Sequence, residues 1–343
     1  MLRRLDVVAL GRMLLGSGVV VLVLAPWVFD TGTVAVLTQF LCLLVLALMW
    51  NLLAGYADIV TVGQHGFVGV GAYAFYGFAA VAGVNPFLSI LLAGLVALLV
   101  AVPAMAVVFR LRGAYLAVGT WVVAEILMLT AGKLPAFGGG SGVSLPISVA
   151  RAFGTDPATR YRTIYWLALA LLGVTFVSTY ALLCSRVGLG LVAMRDNEEA
   201  AGTAGVNLLG IRILCFLWTA PFLGLAGAII TLQKLRVSPA ASFSMADWTV
   251  FVIFTVVIGG VGSLEGPVLG TALFFLLREF LSDLGTWHLM VLGGLSIAVI
   301  LIEPGGLWGL LRPRLVRDLI DVSHWHRRVG GLRGEAGPRG RVG

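Results

Sequence analysis

The feature that most constrains this chain is a series of long apolar runs separated by short polar breaks. About 20 apolar residues are what an α-helix needs to cross the hydrocarbon core of a bilayer. Ten such windows can be laid down: 13–29, 33–53, 59–81, 87–109, 114–131, 163–183, 211–232, 247–264, 266–283 and 287–303. The runs are continuous and do not alternate, which excludes a membrane β-barrel. Hydrophobic residues make up 59% of the 343, and no soluble domain needs that much apolar surface. The expected fold is an all-α polytopic membrane protein with 9–10 transmembrane segments.

Two regions follow. Residues 1–303 form a transmembrane domain with a polar loop at 184–210, and 304–343 form a basic tail, disordered at its end. The N-terminal run has no small-x-small cleavage pattern before Pro26, so it reads as an uncleaved first span. With ten spans and the N-terminus inside, inside segments carry about 16 arginines, among them Arg110, Arg112, Arg186, Arg195 and Arg212. Outside segments carry six cations: Lys133, Arg151, Arg160, Arg162, Lys234 and Arg236. Cations concentrate on the cytoplasmic side, so both termini and the 184–210 loop are expected there. The net charge of +7 is mostly this bias, and no nucleic-acid partner is expected.

The third window is the least regular. Gly63, Gly66, Gly69 and Gly71 fall within nine residues. Such a segment is a tightly packed span or a broken, re-entrant helix lining a cavity. A second Gly-rich break spans 258–270 and includes Gly259 and Gly260; Gly266 and Gly270 there have GxxxG spacing.

Several chemistries are excluded. The two lysines, Lys133 and Lys234, are each followed by Leu, so there is no nucleotide-binding GxxxxGK[ST] loop. No His, Cys, Asp or Glu has metal-ligand spacing, and HExxH and GxSxG are absent. Cys42, Cys184 and Cys215 read as packing residues. Inside the spans, Glu125 lies deep in the fifth, and Arg278, Glu279 and Asp283 lie late in the ninth. An intramembrane carboxylate is a functional candidate, with helix packing as its alternative. Gln64 and His65 line a polar cavity or hydrogen-bond within a helix interface; Phe67 and Tyr73 are packing or pathway residues. Gly139, Gly140 and Ser141 belong to a flexible outward loop, 138–146, that is either a plain connection or a portal. An ion-coupled carrier has a thin basis, because Glu125 stands alone. An intramembrane enzyme with Glu125 and His65 as acid and base has no independent sign.

Residues 195–207, RDNEEAAGTAGVN, are the longest clearly polar segment between two apolar runs. They predict a short capped helix over 196–205. Asp196 is its expected N-cap, and Glu199 completes a capping box. Glu198 and Glu199 suit the positive end of the helix dipole, and Gly205 supplies the left-handed stop. So short a helix persists only if neighbouring spans or a partner hold it.

Five stretches together carry a resemblance: 51–75 (NLLAGYADIVTVGQHGFVGVGAYAF), 111–126 (LRGAYLAVGTWVVAEI), 138–146 (GGGSGVSLP), 185–229, and 257–270 followed by EPGGLWGL at 303–310. The chain resembles the LivM type of membrane permease in branched-chain amino acid ABC importers. The resemblance covers about residues 35 to 315. It implies a type II importer-like fold in a bacterial cytoplasmic (inner) membrane, and a transporter subunit without enzymatic activity. The implied partners are a second, LivH-like permease subunit, two LivG/LivF-like ATPase subunits that bind ATP and Mg²⁺, an extracytoplasmic binding protein and membrane lipid. The 196–205 helix matches the coupling helix, with Ala200, Ala201 and Ala204 as a small face and Arg195, Asp196, Asn197, Glu198 and Glu199 as its polar contacts. Relatives carry branched-chain amino acids, urea, short amides or aromatic compounds. Pro221 departs from the family pattern, and Gln64-His65 stands where His-Ala or Gln-Ala is common.

Overall fold

The computed structural model describes residues 17–281 except 19, then 287–303 and 305–311. Most of the expected tail, most of the first window's beginning, and Asp283 lie outside them. Side-chain surroundings of Asp196, Glu279 and His288 are outside them too.

The chain is mostly helical. Its main helices are α1 Thr31–Asn51, α2 Gln64–Tyr76, α3 Pro86–Val108, α4 Ala114–Gly132, α5 Pro157–Leu183, α6 Arg186–Asp196, α7 Glu198–Thr203 and α8 Leu208–Lys234. They continue as α9 Phe251–Gly259, α10 Glu265–Leu281, α11 Trp287–Ile302 and α12 Gly306–Leu311. Among the described residues, six helices are long and apolar enough to cross a membrane: Thr31–Tyr56, α3, α4, α5, α8 and Pro239–Gly259.

Local chemistry sets the helix starts. Asp30 caps α1 by accepting from the Gly32 and Thr33 N–H groups at 2.9 and 3.3 Å and from the Thr33 hydroxyl at 2.6 Å. These bonds, the Thr33 hydroxyl first, hold its carboxyl below the ordinary range. Asn85 caps α3 ahead of Pro86, whose fixed φ suits a first helical turn. Pro157 starts α5 in the same way. The sixth span therefore begins six residues earlier than its apolar window. The polar TRYR segment before that window is helical, because Pro157 rather than hydrophobicity sets its start.

One open expectation is decided and another changes. The 59–81 window is not one helix: residues 57–63 are non-helical, α2 starts at Gln64, and Gly77–Val81 is π-helical. The 184–210 segment, expected as a loop with one short helix, contains α6 as well. A two-stranded antiparallel pairing, Val143–Ser144 with Arg236–Val237, closes the other end of the bundle.

α8 is the centre. It packs against α1, α2, α3 and α5. Its contacts with α2 and α3 are backbone to backbone. A Cβ on Gly71 would overlap the Gly224 carbonyl, and one on Gly227 would overlap the Val68 carbonyl. One on Gly224 would press on the Ala97 Cβ at 2.5 Å. Such approach is available only to small residues, and in lipid it is packing that holds helices together. α8 runs continuously through Pro221. The GxxxG pair of α10 behaves alike: a Cβ on Gly270 would overlap the Thr255 carbonyl of α9.

Candidate functional site

The short helix forms, with its cap shifted by one residue. Asp196 ends α6, and Asn197 takes extended backbone, φ −161° and ψ 108°. The Ala200 N–H donates to Asn197 Oδ1 at 2.9 Å. Asn197 is therefore the N-cap, and the expectation for Asp196 is corrected: α6 continues through Asp196, so the first extended residue is the next one. Glu198 and Glu199 lie in the first turn of α7 as expected, but Ala200 takes the third helical position, so Glu199 does not complete the expected capping box. The end of α7 is a Schellman motif. Gly205 has φ +86°, its N–H donates to Gly202 O, and Val206 N–H donates to Ala201 O, both at 3.1 Å. The expected small face is divided. Ala201 is buried, while Ala200 and Ala204 are exposed together with Glu199.

Arg212, in the second turn of α8, holds α7 to the bundle. Its Nη1 and Nη2 donate to Glu198 Oε1 and Oε2 at 2.9 and 3.1 Å, a bidentate pair that fixes orientation as well as distance. The same guanidinium lies 3.7 Å from Asp58 Oδ2, and its Nε donates to Ala57 O at 3.4 Å. Asp58 has φ +53°, unusual for a non-glycine residue. It closes a joint between α1 and α2 that opens with the π-helical turn Leu52–Tyr56. A second arginine reaches the same joint by another route. Arg195 Nη1 donates to Gly262 O at 3.1 Å. Gly262 N–H donates to Asn51 Oδ1 at 2.8 Å, and Asn51 Nδ2 donates to Ser263 O at 2.7 Å. A Cβ on Gly55 would come within 2.5 Å of Gly262 N. Gly259 and Gly260 belong here, against Gly266, Gly305 and Trp308, rather than to a central pathway. Arg212 and Asn51 were not singled out from sequence. Their partners are 14 and more than 200 residues away, and no spacing rule joins them.

A second polar group lies within the helices. Gln64 and His65 start α2 and are 2% and 0% exposed. His65 N–H donates to Thr249 Oγ1 at 3.2 Å, and His65 Nδ1 lies 3.0 Å from the same oxygen. Val62 N–H donates to Thr120 Oγ1 at 3.1 Å, and Trp50 Nε1 donates to Thr61 O at 2.9 Å. Both Gln64 amide atoms, His65 Nε2 and Thr61 Oγ1 are buried without a hydrogen-bond partner. α2 meets α4 here, Gly66 against Ala124, the residue before Glu125. Trp121 Nε1 donates to Glu125 Oε1 at 3.0 Å.

The structure thus brings together Gln64 and His65, with Thr120 and Thr249 added, while Glu125 bonds to Trp121 on its own helix. It does not bring the other candidates there. Phe67 stacks edge-on with Phe216 at 5.7 Å, and Tyr73 packs against Phe137 and Phe243 at 5.3 and 5.6 Å. Gly139–Ser141 form a 3-10 turn, where Ser141 O accepts from Arg236 Nη2 at 2.9 Å. Among the described residues no three His, Cys, Asp or Glu are grouped to hold a metal ion.

Comparison with known proteins gives one consistent result. Residues 32–300 match the family described as branched-chain amino acid transport system, permease component. The high-affinity branched-chain amino acid transport system permease protein LivM of Escherichia coli K12 is 30% identical over 323 residues, 87% of this chain and 75% of that one. Its Salmonella typhimurium counterpart is 29% identical over 326 residues, 89% and 76% of the two chains. A probable LivM permease of Methanocaldococcus jannaschii is 23% identical over 235 residues, 62% and 66%. No solved structure matches the chain.

Proposed function

The chain belongs to the permease component family of branched-chain amino acid transport systems, and on that premise we propose that it is one membrane-spanning half of an ABC importer for branched-chain or other hydrophobic amino acids. It pairs with a second permease subunit and receives substrate from an extracytoplasmic binding protein. ATP and Mg²⁺ are bound by two separate ATPase subunits, so this chain is a transport component without a cofactor of its own. It lies in a bacterial cytoplasmic membrane, crossing about ten times with both termini inside, as the distribution of arginines supports. Residues 1–303 are the permease domain and 304–343 the basic tail.

The observation that carries this reading is the bidentate Arg212–Glu198 pair. A six-residue helix is too short to be rigid alone. Clamped to α8, it becomes a handle. The ATPase grips its outer side through Asn197, Glu199, Ala200 and Ala204, and Arg212 passes the displacement to α8 and to the Ala57–Asp58 joint. Arg195 passes it to the Gly262 turn. Both routes end at the segment leading into Gln64 and His65, which line the substrate pathway with Glu125.

The test is reconstitution. Proteoliposomes holding both permease subunits and the ATPases should take up leucine with ATP and loaded binding protein, and this chain alone should take up none. Replacing Glu198→Lys and Glu199→Lys should separate hydrolysis from uptake. Leucine uptake by the isolated chain, driven by a proton or sodium gradient, would overturn the proposal.

A further inference from the structure

α4 is the least covered of the six long helices: 17% of its most apolar window is buried, against 61% for Thr31–Tyr56 and for α8. Its open face carries Val118, Trp121, Val122, Ile126 and Leu129. Lipid would suit these residues. Glu125, half-buried on the same helix, does not fit lipid. It is the twelfth of 19 residues, about 17 Å along the helix axis. A carboxylate at that depth is costly in hydrocarbon and belongs beside protein or water. Among the described residues it has one indole N–H and no cation as partner. On the covered side of α4, Ala124 packs against Gly66 of α2, next to Gln64 and His65, whose side-chain amide and Nε2 are buried without a partner.

We propose that Glu125 is the pathway's ligand for the ammonium group of a zwitterionic amino acid, with Val122 and Leu129, one turn to either side, receiving its aliphatic side chain. The inference rests on the transport reading above and adds the solute chemistry. An anionic oxygen between aliphatic side chains selects a cation attached to an apolar chain. Urea and short amides lack that charge and gain nothing from it.

The experiment uses the complete transporter in proteoliposomes. Val122→Cys, in a Cys184→Ser chain, is treated with a cationic and an anionic methanethiosulfonate reagent of similar size, with and without Glu125→Gln. Glutamine keeps the volume and an acceptor for Trp121. With Glu125 present, the cationic reagent should react about tenfold faster or more, and Glu125→Gln should abolish that preference. Leucine uptake with saturating loaded binding protein should fall about tenfold or more in Glu125→Gln and recover in part in Glu125→Asp. Failure of Val122→Cys to react with either aqueous reagent would overturn the inference, as would uptake by Glu125→Gln at the parent rate. A parent transporter that takes up no leucine with ATP would instead sink the transport reading, and the labelling preference would still be measurable.

Discussion

The joint beneath α7 and the polar layer at the start of α2 are built from the same kinds of residue, yet they differ in how completely those residues are satisfied. At the joint, Asn51 uses both ends of its amide, Arg212 binds Glu198 with two nitrogens, and Arg195 finds a carbonyl. In the layer, Gln64 uses neither end of its amide and His65 leaves Nε2 unpaired. Completed hydrogen bonds fix relative positions, which is what the proposed coupling route needs of the joint. Unpaired buried groups store a desolvation cost that a solute can relieve, so the layer is suited to receive one.

The sharpest way to break this contrast is Asn51→Leu. It removes two buried hydrogen bonds and strands the Gly262 N–H and Ser263 carbonyl. It should cost roughly 2–4 kcal/mol, read as a fall in the unfolding midpoint of the purified complex. Arg212→Ala comes next. Glu198 is 47% and Arg212 22% exposed at the side chain, so the loss in stability should be only about 1 kcal/mol. Uptake per ATP hydrolysed should still fall severalfold, and the swap Arg212→Glu with Glu198→Arg should restore part of it. A swap no better than the single variants would remove the clamp from the coupling route.

Gln64→Leu should move stability the other way. Removing an unpaired buried amide should raise the unfolding midpoint, by about 1 kcal/mol, while uptake falls. A loss of stability there would mean that the layer is structural and the contrast is false. The smallest effect is at Asp30, whose carboxyl is held below its ordinary value of 3.8 by the Thr33 hydroxyl and the Thr33 and Gly32 amides. Its cap is fully present above that value and is lost as pH falls through the lower folded one. Hydrogen exchange at the first turn of α1 should quicken at acid pH in the parent, and Asp30→Ala should show the quick rate at neutral pH.

Much of the helical layout was legible, because apolar run length alone dictates it. Windows 33–53, 87–109 and 114–131 fall within a few residues of α1, α3 and α4. The third window was legible as irregular, a broken helix being one of its two readings, but the place of the break was not. The start of α2 is set by Thr249 and Thr120, 184 and 58 residues away from the groups they bond, and no local signal carries that. At α7, two adjacent residues, Asp196 and Asn197, are both good caps, and only the run of α6 decides between them. Glu198 read as an outward contact because Arg212 lies in the next helix, across a turn. Gln64 with His65, and Glu125 separately, were legible as rare intramembrane polar residues, but Phe67, Tyr73 and Gly139–Ser141 shared only their place in the quoted stretches.

The glycine contacts of α8 have a mechanical consequence. Where Gly71 meets Gly224 and Gly227 meets Val68, no side chain lies between the helices to bend or change rotamer. Such a junction has almost no compliance. α2 and α8 are therefore locked to each other at this junction, and the 27 residues of α8 span about 40 Å with Pro221 between Arg212 and the locked part. On the proposed coupling route, a shift applied at Arg212 would have to pass Pro221 before this junction shares it with α2.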